Sequence, residues 1–271
     1  MSFFTGTIFS YALHMDTSIG VILPQDSRCH RYPGVLGILE DGIKPRERPK
    51  TLILLHGLSD NYSVWGHRTS LLRYAEAYDI AVLMPEVQRS FYHDMKNGPA
   101  YFEYIREELP ALASDLFNVS VNPEDLYIAG LSMGGYGAFY AALSRPEKYA
   151  GVGCFSSACD IRPIVETDAF IGMETLAGLD GDRRGIFGES PKVSDTSDLF
   201  HLVTAAAKKP KKPAIFMTCG TEDFLYDSNV RLRNHIQATG AFNFTYEEWP
   251  GIHEWGFWDV SIQKMLKHFL V

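Results

Sequence analysis

The stretch Gly130-Leu131-Ser132-Met133-Gly134 sets a serine between two glycines, after the apolar run Leu126 to Ala129 and before the helix-forming Ala138 to Ala142. A Gly-x-Ser-x-Gly pattern occurs by chance, but strand, sharp turn and helix in that order form the setting in which a serine stands clear of a sheet on a strained turn. The glycines are needed where a larger side chain would collide with the neighbouring strand and helix. A serine at a helix start also has backbone N–H groups and the positive end of the helix dipole beside any charge developing on a reacting carbonyl. The chemistry that suits such a residue is nucleophilic acyl transfer, in which the acyl group passes to the serine and then to water. The hydroxyl is too weakly acidic to attack unaided. A histidine must take its proton, and a carboxylate must fix the tautomer of that histidine.

With the serine on an elbow of this kind, the order along the chain is serine, acid, histidine. Asp223, in Gly220-Thr-Glu-Asp-Phe, directly follows the apolar run Ala214 to Cys219 and so falls at the carboxyl end of a strand, where such sheets build their sites. The competing acids are Glu222, Asp227 and Asp160. Glu222 is a chain neighbour of Asp223 and should point elsewhere, and Asp227 should open the next helix. His253 lies in Trp249-Pro-Gly-Ile-His-Glu-Trp-Gly-Phe-Trp, a loop between the strand-like Phe242 to Glu247 and the final helix. It is the first choice for the base, because His201, His235 and His268 fall in helical patterns. His56, His67 and His93 are read as packing and hydrogen-bonding residues, since a histidine ending a buried strand more often serves that way.

The second half of an oxyanion hole is expected from Leu55-His-Gly-Leu-Ser-Asp-Asn61, where Gly57 lets the chain turn close to the nucleophile. The expected donors are the backbone N–H groups of Leu58 and Met133, each worth roughly 3 to 4 kcal/mol in the transition state. Trp249, Trp255, Phe257 and Trp258, with Phe91, Tyr92 and Phe224, are candidate walls of an acyl pocket, although most aromatic residues simply fill the core. Trp65, Phe91, Phe224 and Trp255 are taken as the expected substrate contacts. No His-Glu-x-x-His or Cys-x-x-Cys pattern occurs, so neither a catalytic metal nor another cofactor is expected.

The elements that must hold these residues follow from periodicity. An opening antiparallel hairpin is expected over Phe9 to His14 and Ile19 to Leu23, then a turn-rich excursion from Gln25 to Lys50. Short apolar runs at Thr51 to Leu55, Ile80 to Met84, Leu126 to Ala129, Gly151 to Phe155 and Ala214 to Cys219 alternate with longer helical patterns. Continuous apolar strands separated by helices indicate a parallel sheet covered on both faces, a doubly wound α/β architecture. Helices are expected at Thr69 to Ala77, Tyr101 to Phe117 with a break near Pro110, Met133 to Ser144, Tyr226 to Thr239 and Val260 to Phe269. Residues from about 161 to 212 depart from the rhythm, with a helical pattern at Leu199 to Ala207. They are read as a cap-like insertion in a single domain spanning 1–271.

The bulk properties limit what this site could serve. A net charge of −8 and a pI near 5.6 argue against a nucleic-acid partner, which usually meets a basic face. The amino terminus lacks a basic n-region and apolar stretch, and no apolar run reaches the roughly 18 residues of a membrane span. A soluble cytoplasmic protein acting on a small-molecule ester is therefore expected. Cys29, Cys154, Cys159 and Cys219 show neither disulfide-scaffold nor zinc-site spacing, and Cys154 and Cys219 read as small buried hydrophobes.

Four stretches carry a resemblance: Leu55-His-Gly-Leu-Ser-Asp-Asn-Tyr-Ser-Val-Trp65, Gly130 to Gly137, Cys219-Gly-Thr-Glu-Asp-Phe-Leu225 and His253-Glu-Trp-Gly-Phe-Trp-Asp259. Together they resemble the esterase D or putative esterase family of α/β-hydrolases, particularly the tributyrin esterases of Gram-positive bacteria, related to S-formylglutathione hydrolases and feruloyl esterases. The resemblance implies an α/β-hydrolase fold and cofactor-free hydrolysis of short-chain acyl esters by Ser132, Asp223 and His253. It also implies frequent assembly into homo-oligomers. An S-formylglutathione hydrolase or a feruloyl or acetyl esterase would share every one of these residues, and a non-catalytic binding protein could retain the fold. Two departures bear on substrate shape and assembly. Asp60 stands where glycine is more usual in the related loop, and the Gln25 to Lys50 stretch is longer than a minimal member needs.

Overall fold

A computed structural model describes residues 1–25, 47–167 and 178–271. Most of the turn-rich stretch from Gln25 to Lys50, with Cys29, and part of the 161–212 insertion therefore lie outside the described residues. Five short apolar runs form the strands β3 (Thr51–Leu55), β4 (Ala81–Pro85), β5 (Leu126–Leu131), β6 (Gly151–Phe155) and β7 (Ala214–Gly220). Every residue of these strands is buried except the first of β7, as expected of a sheet covered on both faces. With the hairpin β1 (Ser2–Ser10) and β2 (Met15–Leu23) and the half-buried β8 (Phe244–Trp249) they make one sheet of eight strands, in the order β1-β2-β4-β3-β5-β6-β7-β8. β1 and β2 run antiparallel, β2 joins β4 antiparallel, and all remaining neighbours are parallel. The architecture is the α/β-hydrolase fold expected from the sequence.

Helices cover the two faces unequally. One face carries α1 (Val64–Arg68), α2 (Leu71–Tyr78) and α10 (Trp255–Leu270), which contribute Trp65, Leu71, Tyr74, Trp258 and Ile262 to one core cluster. The other carries α4 (Leu109–Phe117), α5 (Met133–Ser144), α6 (Arg162–Glu166), α7 (Leu179–Phe187), α8 (Leu199–Ala207) and α9 (Tyr226–Thr239) over the larger cluster. α5 is buried almost along its whole length, and the ring of Tyr92 lies so close to it that a Cβ on Gly137 would sit 2.4 Å from that ring. A helix that is apolar all round belongs in the interior, and this one runs out of the nucleophile turn. No helix among the described residues is long and apolar enough to cross a membrane.

The elements differ from expectation mainly at their ends. The hairpin begins at Ser2 rather than Phe9, and the residues from Tyr11 to His14 are its turn. β1 is exposed on both faces and so shows no burial alternation to read. The expected break near Pro110 is a π-helical turn, Tyr104–Glu108, between the single turn α3 (Tyr101–Glu103) and α4. Pro110 is the second residue of α4, directly after that turn. The π turn has a visible consequence: the Glu108 carboxylate accepts hydrogen bonds from the backbone N–H groups of Tyr11 and Ala12 and from the Ser10 hydroxyl, pinning the hairpin turn to the body of the fold. β8 sits two residues later than expected, and α10 starts five residues earlier, at Trp255. α1 and α2 divide the stretch around the expected Thr69 to Ala77 helix.

This topology fixes where a site can form. From β3 the chain steps to β4 on one side and then, after α4, to β5 on the other, so β3 and β5 are neighbours whose following connections diverge. Ligands in such sheets bind at the carboxyl ends of strands flanking that switch point. Leu55 ends β3 and Leu131 ends β5, which places the His56–Asn61 loop beside Ser132.

Candidate active site

Ser132 joins β5 to α5 with φ 52° and ψ −119°, a left-handed backbone conformation that a non-glycine residue adopts only when its surroundings impose it. Those surroundings are specific. The Ser132 N–H donates to Phe155 O at 3.0 Å, and its carbonyl accepts from the N–H groups of Tyr136 and Ala158, each at 3.1 Å. A Cβ at position 130 would lie 2.4 Å from the backbone of Gly134, and one at 134 would lie 2.5 Å from Leu55 O and 2.6 Å from His56 O. Only glycines allow β3, β5 and α5 to converge this closely. The N–H groups of the first turn of α5 have no acceptors within the helix, so Met133 presents a free donor direction beside the serine.

The acid and the histidine come from adjacent strand ends. After β7 the chain turns so that Asp223 is buried, 4% exposed, and its Oδ1 accepts the Leu225 N–H at 2.8 Å. Its Oδ2 stands 2.8 Å from His253 Nδ1. A buried carboxylate can only accept, so Nδ1 carries the proton and Nε2 is left with its lone pair free. The His253 ring lies between two aromatic rings, Phe224 at 4.6 Å and Trp258 at 4.8 Å and nearly perpendicular.

The two loops that carry this pair are fastened to each other. Thr221 N–H donates to Trp249 O at 3.1 Å and Glu222 N–H to Gly251 O at 3.0 Å, while a Glu222 carboxylate oxygen accepts the Gly251 N–H. A Cβ on Gly220 would lie 2.2 Å from Gly251 O, so this contact requires glycine. Glu222 thus joins the loops while Asp223 meets the histidine. Asp227 is exposed in the first turn of α9, as expected. Asp160 is bound by Arg162 and Arg231; burial alone would raise its carboxyl, but the hydrogen bonds and charge of Arg162, helped by Arg231, hold it below the usual range.

The loop after β3 meets the serine from the opposite side. Leu58 and Met133 line the same cleft as Ser132. Asp60 Oδ2 accepts the Gly57 N–H at 3.3 Å, so the residue that departs from the usual glycine braces the turn leading to Leu58. Burial raises the Asp60 carboxyl, against the opposing pull of His56, the Gly57 N–H, Arg68 and His253. His56 itself is 1% exposed; its Nδ1 lies 2.8 Å from Gly57 O and its Nε2 accepts the Val87 N–H, the structural role expected of it. His93 is likewise buried, with Nε2 2.9 Å from the Tyr136 hydroxyl, whereas His67 is exposed and lies against Ser63. His235 bonds to α8, and His201 and His268 are exposed.

Of the four expected substrate contacts, Phe91 and Phe224 line the cleft. Phe91 also has a left-handed backbone, φ 48°. Trp65 and Trp255 are placed elsewhere. Trp65 is fully buried, donates its Nε1–H to Leu55 O, and makes an edge contact with Trp255 at 5.1 Å, which makes another with Trp258 at 5.2 Å. These indoles form a prop behind the His253 loop rather than a wall of the cleft. Sequence reasoning missed the walls contributed by Ile164 and Leu179 from the 161–212 stretch. It also missed Asn229, fully buried, whose amide bridges Ser157 O and Leu225 O at 2.8 Å each, tying α9 to the turn after β6. Ile164 and Leu179 are ordinary helix residues in sequence, and Asn229 is one polar residue in a helical run, so neither carried a periodic signal. Cys154, Cys159 and Cys219 are buried free thiols, pushed up by burial.

Comparison with known proteins agrees with this architecture. A family model described as Putative esterase matches residues 10–269. An acetyl esterase of Caldicellulosiruptor saccharolyticus is 31% identical over 261 residues, covering 94% of this chain and 92% of that protein. Two Staphylococcus aureus structures are similar throughout. The fluorophosphonate-binding serine hydrolase FphF has a TM-score of 0.84 at 27% identity, covering 100% of this chain and 98% of its own. The S-formylglutathione hydrolase FrmB has a TM-score of 0.82 at 28% identity, covering 100% and 99%.

Proposed function

We propose, given that the chain belongs to the Putative esterase family and is a carboxylic ester hydrolase, that it cleaves short-chain acyl esters through a covalent acyl-enzyme on Ser132. His253 Nε2 takes the Ser132 proton as the hydroxyl attacks the ester carbonyl, and Asp223 holds the imidazole in the required tautomer and stabilises its charged form. The backbone N–H groups of Leu58 and Met133 receive the oxyanion, each worth roughly 3 to 4 kcal/mol in the transition state. His253 returns the proton to the departing alcohol. Water, deprotonated in turn by His253, releases the acid. The observation that carries this reading is the 2.8 Å hydrogen bond that His253 Nδ1 donates to the buried Asp223, in a chain whose Ser132 stands on a strained strand-to-helix turn.

The acyl group belongs in the cleft beside Ser132, where Phe91, Ile164, Leu179 and Phe224 offer apolar walls. Ile164 and Leu179 give the 161–212 stretch the role of a cap. Ser132→Ala should retain the fold and lose hydrolysis of p-nitrophenyl butyrate, and a fluorophosphonate should add its mass to the Ser132 peptide of the wild type alone. Normal turnover in Ser132→Ala, or labelling elsewhere, would refute the assignment. A second reading, hydrolysis of S-formylglutathione, is favoured by the likeness to FrmB over the whole chain. Rates on S-formylglutathione and on p-nitrophenyl esters from acetate upward separate the two.

A further inference from the structure

β1 is an edge strand, and among the described strands only β2 pairs with it. Edges of this kind are normally blunted by charge, proline, a bulge or shortness, because a row of unpaired N–H and C=O groups recruits other strands. β1 has none of these defences. It runs nine residues, Ser-Phe-Phe-Thr-Gly-Thr-Ile-Phe-Ser, with no charged residue and no proline, and its register with β2 is one-to-one from Ser2↔Leu23 to Ser10↔Met15 without a bulge. The opposite edge is built the other way. β8 carries Glu247 and Glu248, which meet Lys264 and Arg233, so that edge is charged.

The β1 sequence is also close to a palindrome about Gly6. An antiparallel partner strand of the same sequence, related by a two-fold axis at Gly6, sets Ser2 opposite Ser10, Phe3 opposite Phe9, Phe4 opposite Ile8 and Thr5 opposite Thr7. Like meets like in three of the pairs and aromatic meets β-branched in the fourth, and aromatic, aromatic–β-branched and Thr–Thr pairs are among those that stabilise antiparallel neighbours. The exposed fractions of Phe3, Phe4, Phe9 and Tyr11 are 37, 56, 50 and 75%. At about 200 Å² per aromatic side chain, two copies would bury at most about 600 Å² from Phe3, Phe4 and Phe9. The paired main chains add to that, toward the roughly 1,200–2,000 Å² of a stable interface. Among the described residues a Cβ on Gly6 meets nothing within 4 Å, which leaves room for a close partner at the centre of the strand.

From these observations we propose that β1 is a homodimer interface, in which two copies pair antiparallel through a two-fold at Gly6 and join their sheets into one. Sedimentation velocity should give wild-type protein at twice the 30.4 kDa chain mass. T5K/T7K sets like charges opposite one another twice and should give monomer, whereas T5K/T7E sets opposite charges there and should restore the dimer. Gly6→Cys should form an intermolecular disulfide on mild oxidation that wild type does not, because residue 6 faces its own copy at Cβ spacing within reach of a disulfide. Unchanged p-nitrophenyl acetate hydrolysis shows that each variant is folded. A monomeric wild type, or a dimer indifferent to T5K/T7K, would overturn the interface, and a T5K/T7E protein that stays monomeric would overturn the register.

Discussion

Asp223 and Glu222 follow β7 side by side and are sorted by what they touch. Asp223 is 4% exposed and meets His253 Nδ1, while Glu222 is exposed and accepts the Gly251 N–H. Replacing Asp223 with Asn keeps the shape but offers an N–H where the imidazole needs an acceptor. Asp223→Asn should therefore lower kcat by about 10⁴-fold, as expected of a wrong tautomer. Glu222→Gln keeps an amide oxygen for Gly251 and should stay within a few-fold of wild type, since the charge itself is not used. Steady-state kinetics on p-nitrophenyl butyrate would check both, and equal losses in the two variants would reverse the assignment. The turn at Ser132 and the pairing of Asp223 with His253 were legible in the sequence because strand-end position and chain order are one-dimensional signals. The cleft walls were not. Phe91 and Trp65 are both aromatic residues near motif loops, and only the packing of Trp65 against Leu55 O and Trp255 assigns it to the interior.

Between the elements, the contact that matters most for the histidine is the crossing of the β7–α9 and β8–α10 loops at Gly220 and Gly251. The methyl introduced by Gly220→Ala would start 2.2 Å from Gly251 O, and backbone on both sides leaves no flexible side chain to yield. The loops must part, and Asp223 and His253 separate with them. A displacement of about 1 Å at such a pair costs on the order of 10²-fold in rate, and overpacking costs about 1–3 kcal/mol in stability. Gly220→Ala should show that split: a fall in kcat with KM little changed, and a modest drop in Tm by calorimetry. A variant with normal kcat would show that the loops tolerate separation. The boundaries of α5 and α9 were readable to the residue, because α5 begins at the serine turn and α9 is closed by the left-handed Gly240. β1 and the π turn were not readable. The first lacks a buried face, and the second is fixed by Glu108 reaching the hairpin turn, a contact across roughly a hundred residues of chain.

For the molecule as a whole, the buried ionisable group with the clearest consequence is His93. It sits where three parts of the fold meet: its ring packs on Tyr136 and Tyr140 of α5 and on Phe187 of α7, and the Tyr136 hydroxyl donates to Ser197 O. With that hydroxyl proton committed to Ser197, His93 Nε2–H is the donor in its bond to Tyr136. Burial lowers its pKa from 6.5 to about 3. The unfolded chain therefore binds a proton below pH 6.5 that the folded chain refuses until about pH 3. Stability is complete above 6.5 and falls with pH through that window by about 1.4 kcal/mol per unit, so roughly 2 kcal/mol is lost by pH 5. Carboxylates act lower. Asp160 and Glu107 are held down by Arg162 and Lys148 despite burial, and their stabilisation begins to fade only as pH falls through their ordinary values of 3.8 and 4.5. Comparing wild type with a His93 variant in urea unfolding between pH 7.5 and 5 therefore isolates the histidine. His93→Gln, which keeps a donor toward Tyr136 but cannot titrate, should be less stable at pH 7.5 yet show a pH slope smaller by nearly one proton. Parallel slopes in the two proteins would mean that His93 takes up its proton in the folded state as readily as in the unfolded chain, and would overturn the burial argument.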